Sequence, residues 1–310
     1  MNKTKILYLG TPEISAYVLE NLIKAGYQIV GVVAQPDKTV GRKQELQVVP
    51  TKKVALAHDI PVFQPRRIRE DFAFAQTLDF DLIICFSYGQ IIPKGLLDLP
   101  RLGSLNLHGS LLPAYRGASP IHMTLVHDDK VTGVTLMEMV EAMDAGRMYA
   151  KQEVEVSEED NFATLAEKIK IAASELILRE LPSYIRGELP GEEQDESLVT
   201  FAPLIKKEQE HLDLTLPKKR FRGWVRALSP EPGGYLVWQE KHVKIFEVEI
   251  VNDEVGAPLG TIVTADKSDL ILQLSDGQVA IKRLQIAGKR PLTSLEFING
   301  YSFVKGEKWS

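Results

Sequence analysis

Hydrophobic residues in the first half of the chain form short apolar runs that alternate with amphipathic stretches. The runs Ile6–Leu9, Ile29–Ala34 and Leu82–Phe86 are apolar almost throughout, which is typical of strands covered on both faces. Between the first two, Ala16–Ala25 has helical spacing and stops at Gly26. Apolar strands separated by helices predict a parallel sheet with helices on both sides, a Rossmann-like α/β architecture.

The same patterns predict the remaining elements of this half. We expect helices at Thr51–His58 and Asn161–Arg186, and strands at Pro61–Phe63, Leu102–Leu107, Thr132–Glu138 and Met148–Val156.

The pattern changes between Gly187 and Ala202, where polar residues, glycine and proline leave no periodicity, as in a linker. Beyond one helix near Arg220–Ala227, strands dominate and are joined by turns such as Ser275–Gly277. The predicted strands are Tyr235–Trp238, Val243–Val251, Gly260–Thr264, Leu270–Leu274 and Gln278–Leu284. Close-set strands predict a small β-barrel. We therefore predict three segments: an α/β domain at 1–187, a linker at 188–205 and a barrel domain at 206–310.

Composition narrows the class of protein. With 310 residues there is room for two domains, and the 44% hydrophobic and 25% charged content is that of a globular protein. No run approaches eighteen apolar residues and the N-terminus leads directly into a strand, so we expect neither a membrane span nor secretion. The single cysteine fits a reducing cytoplasm. No large apolar surface motif indicates a partner subunit, so we expect a monomer.

Charge is unevenly distributed. The net charge is −5, but the part from Lys206 onward carries 16 basic and 14 acidic side chains, against 21 and 28 in the remainder. A slightly basic end on an acidic body could hold a polyanion, although charge alone favours no particular partner.

The first candidate catalytic residues lie at the end of the predicted strand Leu102–Leu107. Asn106 and His108 are two positions apart, so both side chains point to one side at the carboxyl end, where open α/β sheets place their sites. Asp144 follows in a loop between two later strands. An amide donor, an imidazole and a carboxylate are suited to acyl transfer.

The sequence does not contain the patterns of a nucleotide-cofactor site, a metal site or a reactive cysteine. The first strand ends with one glycine, Gly10, where a dinucleotide site needs three, so we expect no nucleotide cofactor. The remaining histidines are too far apart for a metal site, and we expect no metal. Cys85 lies in an apolar strand and is read as a core residue.

Several motifs, in order along nearly the whole chain, resemble those of the methionyl-tRNA formyltransferases, which belong to the 10-formyltetrahydrofolate-dependent formyltransferase superfamily. They are Leu9–Glu13, Gln35–Asp37 with Gly41–Arg42, Tyr88–Ile91, Ser110–Gly117, Met143–Gly146 and Arg226–Gly233. No single motif decides the matter, but their order and intervals together identify the resemblance.

The resemblance implies that Asn106, His108 and Asp144 are catalytic. Amine attack on a formyl carbon places negative charge on the formyl oxygen, and a proton must pass from the incoming amine to the leaving nitrogen. Asn106 would hold the oxygen with its amide, the imidazolium of His108 would help, and Asp144 would pass protons through a water.

The resemblance also implies binding residues. 10-Formyltetrahydrofolate would be the formyl donor, bound by Ser110, Leu111, Leu112 and Pro113 and, at its pterin, by Tyr88, Gly89, Gln90 and Ile91. The long loop Gln35–Pro50 would reach the acceptor end of initiator Met-tRNA with Arg42 and Lys43. The C-terminal domain would be an open, oligonucleotide-binding-like (OB-like) barrel that contacts tRNA through Lys206, Lys207, Arg220 and Arg222.

Three functions remain open. The first is formyl transfer to methionine on initiator tRNA. The second keeps the catalytic residues but changes the acceptor, to glycinamide ribonucleotide, an amino sugar or water. The third is a tRNA- or folate-binding protein without turnover. The loop Gln35–Pro50 and the C-terminal domain favour the first, and the complete Asn106, His108 and Asp144 set disfavours the third.

Overall fold

The computed structural model describes residues 4–40, 45–265, 269–301 and 306–310. By packing, the chain forms two compact units. Unit 1 contains Met1–Pro120, Val131–Glu155 and Ala166–Pro203, and unit 2 contains Ile121–Lys130, Val156–Leu165 and Leu204–Ser310. The division at 187 and 205 stays a prediction; in the structure, residues 188–203 pack with unit 1.

Unit 1 is built on a seven-stranded sheet with a separate two-stranded hairpin. Its strands are β1 (Lys5–Gly10), β2 (Gln28–Val33), β3 (Lys38–Val40), β4 (Glu45–Gln47), β5 (Val62–Phe63), β6 (Leu82–Phe86), β7 (Ser104–His108), β8 (Val131–Glu138) and β9 (Met148–Glu155). The order in the sheet is β5-β2-β1-β6-β7-β8-β9, and β3 pairs with β4 inside the predicted loop Gln35–Pro50.

The Rossmann-like α/β fold is confirmed, with one difference. The strands β5, β2, β1, β6 and β7 are parallel, whereas β8 runs antiparallel to β7 and to β9. The strands β8 and β9 are joined by the short loop 139–147, and a parallel pair would need a crossover of about a dozen residues or more. The sheet is therefore mixed at the edge beside β7.

Helices accompany the strands in both units. They are α1 (Glu13–Lys24), α2 (Pro50–Ala57), α3 (Ala73–Gln76), α4 (Lys94–Leu97), α5 (Pro120–His127), α6 (Phe162–Ile185), α7 (Lys218–Leu228) and α8 (Ser294–Gly300), with 3₁₀ turns at Glu196–Leu198 and Lys207–Glu210. Throughout the described ranges, no helix combines the length and the apolar character needed to cross a membrane.

Unit 2 contains an antiparallel sheet of six strands. They are β10 (Gly234–Trp238), β11 (Lys241–Asn252), β12 (Ile262–Ala265), β13 (Leu270–Leu274), β14 (Gly277–Ile286) and β15 (Leu292–Thr293). The order is β10-β11-β14-β13-β12, with β15 on β14. The predicted strands after the linker are thus confirmed.

Residues 306–310 connect the two ends of this sheet. Ser310 exchanges hydrogen bonds with Val237 of β10 (N to O, 2.6 and 3.1 Å). On the other side, Ile262 N of β12 donates to Glu307 O (2.8 Å) and Trp309 N donates to Gly260 O (2.8 Å). Because these residues pair with both outer strands, they close the sheet into a barrel. No sequence pattern predicts this closing segment.

Candidate active site

The strand β7 carries the first two candidate residues. It lies between parallel β6 and antiparallel β8, and Asn106 is paired with Cys85 on one side and Met137 on the other. Asn106 is half-buried, and its side chain has no hydrogen-bond partner within the described ranges. A half-buried amide with unused N–H donors is suited to hold a developing negative charge.

His108 and Asp144 meet beside the end of β7. The imidazole is buried, with 5% of the residue exposed, and its Nδ1 lies 3.6 Å from Asp144 Oδ1. Its Nε2 lies 2.9 Å from the carbonyl oxygen of Tyr115. Because a carbonyl oxygen only accepts, Nε2 carries a proton, and Nδ1 is the nitrogen that faces the carboxylate. The structure therefore places this pair where Nδ1 can take or give a proton.

The side chain of Asp144 is held in turn by the loop after β7. Its Oδ2 accepts a hydrogen bond from Gly117 N at 2.8 Å. Gly117 has φ +121°, and a Cβ there would lie 2.6 Å from Ala202 O, so only glycine fits this approach. Asp144 itself has φ +52°, a left-handed conformation that aspartate tolerates better than most residues.

A buried amide fixes the backbone of the same turn. Gln194 Nε2 donates to Asp144 O (2.7 Å) and to Gly146 O (2.8 Å). Its Oε1 accepts from Nε and Nη2 of Arg116 (3.0 and 2.9 Å), and this guanidinium also pairs with Glu196 at 2.7 Å. No sequence pattern marks Gln194, because a glutamine in a polar stretch resembles any other linker residue.

The predicted folate segment 110–113 is fixed by β8. Thr135 Oγ1 donates to Ser110 O (2.7 Å) and accepts from Leu112 N (3.0 Å). Ser110 and Leu112 are buried, and Leu112 packs in a cluster with Met137 and Met148. Leu111 and Pro113 are half-buried. Within this segment, Leu111 and Pro113 are thus the side chains left accessible to a ligand.

The predicted pterin loop follows β6. The side chain of Tyr88 is buried, and its phenol oxygen has no hydrogen-bond partner within the described residues; burial also raises the pKa of this phenol. Gln90 turns inward, accepting from Ile68 N at 2.8 Å and donating to Gln35 Oε1 at 3.1 Å. Ile91 is 55% exposed. The loop therefore offers a ligand mainly its backbone and Ile91.

Cys85 lies one strand away from β7 and does not take part. It is buried in β6, and burial raises the pKa of its thiol to about 12. A thiol that stays protonated at neutral pH is not a nucleophile. Within the described ranges no group of three His, Cys, Asp or Glu side chains could hold a metal ion.

The predicted tRNA contacts fall into three cases. Arg42 and Lys43 lie outside the described residues. Lys206 and Lys207 are exposed, and Arg220 on α7 is half-buried. Arg222 is 17% exposed and pairs with Asp128 (3.0 Å) and Glu158 (2.8 Å) within unit 2. These carboxylates already use the Arg222 guanidinium, so a phosphate would have to compete for it.

Comparison with known proteins covers both halves of the chain. The family described as "Formyl transferase" matches residues 3–181, and "Formyl transferase, C-terminal domain" matches residues 204–302. A methionyl-tRNA formyltransferase of Lactobacillus acidophilus is 41% identical, over 98% of each chain. That of Staphylococcus epidermidis is 39% identical, over 96% of each chain.

Solved structures share the fold at lower identity. A sugar 3N-formyl transferase, solved with dTDP and 5-N-formyl-THF, superposes with a TM-score of 0.69 at 17% identity, over 94% of this chain and 100% of that one. HypX from Aquifex aeolicus, in complex with tetrahydrofolic acid, has a TM-score of 0.61 at 19% identity, over 96% of this chain. This chain spans 47% of HypX. At these identities the likeness establishes the fold alone.

Proposed function

We propose, because the chain belongs to the formyl transferase family, that it transfers a formyl group from 10-formyltetrahydrofolate to the α-amino group of methionine on initiator tRNA. The observation that carries this proposal is the match to methionyl-tRNA formyltransferases over both units. A change of acceptor is disfavoured because unit 2 matches along with the catalytic domain. We propose further that the protein acts in the cytoplasm as a monomer.

The side chains around β7 have complementary roles in this proposal. The donor supplies an electrophilic formyl carbon, and negative charge develops on its oxygen as the amine attacks. Asn106 donates its free amide N–H to that oxygen. Since the Tyr115 carbonyl holds Nε2 of His108, Nδ1 is the ring nitrogen that can share a proton with the oxygen and with Asp144. Asp144 then passes the amine proton toward the leaving nitrogen, through a water if needed.

The loop after β6 fits a flat polar ring. The backbone N–H groups of Gly89, Gln90 and Ile91 have no hydrogen-bond partner among the described residues. Gly89 has φ +89°, which brings the backbone close to a ligand without a side chain in between. Free amides and the exposed side chain of Ile91 suit the edge and the face of a pterin. We assign the donor to this loop together with Leu111 and Pro113.

Contacts to tRNA are assigned to cations that carry no internal ion pair among the described residues or lie outside them. Lys206, Lys207 and Arg220 are the described candidates. Arg42 and Lys43 remain candidates from the resemblance, outside the described residues. Replacing Lys206 and Lys207 together by alanine removes two phosphate contacts, so KM for Met-tRNA should rise several-fold while kcat stays unchanged. Lys289→Ala serves as a control on another exposed cation of unit 2. Equal KM values for the double variant and the wild type would remove these two lysines from the tRNA surface.

One assay tests the activity itself. Purified protein receives 10-formyltetrahydrofolate and charged initiator tRNA, and formylmethionine is counted, with glycinamide ribonucleotide and an amino sugar as alternative acceptors. We expect product on Met-tRNA. Formyl transfer to one of the other acceptors alone would select a different formyltransferase, and tRNA binding without any product would select a binding protein.

A further inference from the structure

The turn 115–117 contacts three separate parts of the site through consecutive residues. Tyr115 O accepts from His108 Nε2 at 2.9 Å. Arg116 donates two hydrogen bonds to the side chain of Gln194, and Gly117 N donates to Asp144 Oδ2. Because Gln194 in turn bonds the backbone of Asp144, the aspartate is held twice, once at its carboxylate and once at its main chain.

The orientation of the Gln194 amide is fixed by its partners. A guanidinium only donates, so Oε1 must face Arg116, and the carbonyls of Asp144 and Gly146 only accept, so Nε2 must face them. Gln194 and Arg116 are buried, with 9% and 6% of each residue exposed. Buried polar groups with all partners satisfied define one geometry, since any other arrangement leaves a donor or acceptor unpaired.

The segment around Gln194 is itself anchored to the turn. Arg116 N donates to Thr200 O (2.9 Å), and Ala202 N donates back to Arg116 O (2.8 Å). Met148 and Glu192 exchange backbone hydrogen bonds of 2.8 Å on the other side of Gln194. The glutamine is therefore presented by backbone pairing on both sides, as a rigid part of unit 1.

We propose that Gln194 is a positioning residue for the reaction, which sets the orientation of the Asp144 carboxylate toward His108 by fixing the turn 144–146. Gln194 lies between the two family matches, 3–181 and 204–302, so neither match assigns it a role. The inference rests on the proposed function, because Asp144 matters for rate only if the site transfers a formyl group.

The test compares Gln194→Met with the wild type. Methionine keeps the length of the side chain but removes all four hydrogen bonds. We expect kcat for formyl transfer to Met-tRNA to fall by about thirtyfold, because small misplacements of a catalytic group cost up to about a hundredfold. KM for both substrates should stay within about twofold. Glu193→Gln, whose exposed carboxylate pairs with the exposed Arg147 in the same segment, should leave kcat unchanged.

A double variant separates positioning from general damage. In an Asp144→Asn background the carboxylate is already lost, so adding Gln194→Met should lower kcat by less than about twofold. The proposal is overturned if Gln194→Met lowers kcat by the same factor in the Asp144→Asn background as in the wild type. It is also overturned if the loss of kcat in Gln194→Met is accounted for by the unfolded fraction that circular dichroism measures.

A second variant and a second measurement do not depend on turnover. Gln194→Glu keeps the acceptor for Arg116 but places an oxygen against two carbonyls, so it should lose as much activity as Gln194→Met. Hydrogen exchange read by mass spectrometry should show faster exchange in peptides that contain Gly117 and 142–146 in both variants, and unchanged exchange in β1. Unchanged exchange at Gly117 in both variants would overturn the proposal. An absence of formyl transfer by the wild type would instead overturn the proposed function.

Discussion

The Asp144 turn in unit 1 and the barrel closure in unit 2 are both completed by residues distant in sequence, but through different interactions. In unit 1 the joining groups are polar: the Gln194 amide, the Arg116 guanidinium and backbone carbonyls. In unit 2, besides the backbone hydrogen bonds of the closing segment and one hydrogen bond from Trp238 Nε1 to Glu307 (2.8 Å), the joining groups are aromatic. Trp309 is 0% exposed and lies near Trp238 and Phe297, with ring centroids 6.1 and 6.3 Å apart.

The polar contacts of the Asp144 turn suit the orientation of a side chain, and the aromatic contacts of the closing segment suit stability. Hydrogen bonds depend on direction, so they can set the angle of one carboxylate, although each contributes only about 1 kcal/mol to stability. Apolar packing has little directional preference but stabilises by several kcal/mol for each large side chain. Changes at the turn should therefore alter rate more than stability, and changes at the closing segment should alter stability most.

The largest expected effect is at Trp309. Trp309→Ala leaves a cavity where the closing segment meets the barrel core, and replacing a buried tryptophan costs about 3–5 kcal/mol. Denaturant unfolding should show this loss, while Lys308→Ala, an exposed neighbour, should stay within about 0.5 kcal/mol of the wild type. A loss below about 1 kcal/mol would mean that aromatic packing does not close the barrel.

The next largest effect is on rate. Asp144→Asn keeps an oxygen for Gly117 N and a side chain that tolerates positive φ, but removes the negative charge. We expect kcat to fall by about a hundredfold, with the midpoint of thermal unfolding unchanged, and Asn106→Ala and His108→Ala to act on kcat in the same direction. Near-normal turnover in Asp144→Asn would remove the carboxylate from the mechanism.

A smaller effect is expected on the pH dependence of stability in unit 2, where one histidine ring is largely buried. The ring of His122 on α5 stacks on Phe162 with centroids 4.2 Å apart, and burial lowers its pKa from 6.5 to about 4. The unfolded state then binds the extra proton, so stability is complete above pH 6.5 and is lost as the pH falls from 6.5 toward 4. We expect a loss of about 1–2 kcal/mol over that range, after discounting for partial exposure of the ring.

His122→Phe should flatten this part of the pH profile, because phenylalanine keeps the stacking and cannot be protonated. His211→Gln, at an exposed position, is the matched control for removing one histidine. Urea unfolding at pH 7 and at pH 4.5 checks the prediction. If His122→Phe and the wild type lose the same stability on acidification, burial of this ring does not control acid sensitivity.

Strands with strong local patterns could be predicted from sequence. The predicted bounds of Leu82–Phe86 and Leu270–Leu274 agree with β6 and β13, because the first run is wholly apolar, the second is apolar except for Gln273, and both are bounded by turn residues. The closing segment 306–310 could not be predicted, since its pairing depends on the two outer strands and not on any alternation of its own. The antiparallel direction of β8 was missed because a strand's apolar pattern does not state its direction.

The residues of the candidate site divide in the same way, into those that a local pattern predicts and those that depend on distant contacts. Spacing alone placed Asn106 and His108 on one side of a strand and made Asp144 a candidate in a later loop, and the resemblance implied a catalytic role for all three. Neither could supply Gln194, because its role arises from a contact between residues 50 positions apart whose local sequence is ordinary. The catalytic and binding assignments stay predictions until the variants are measured.

The place of Gln194 in the chain has a consequence for synthesis. Every strand of the unit 1 sheet has been translated once residue 155 is added, so the sheet can assemble on a nascent chain before residues 192–202 emerge. During that interval the Asp144 turn lacks two of its hydrogen bonds. We therefore expect nascent chains stalled between the end of α6 and residue 192 to fold without acquiring the final orientation of the carboxylate, so that catalytic competence would arise later than the fold that carries it.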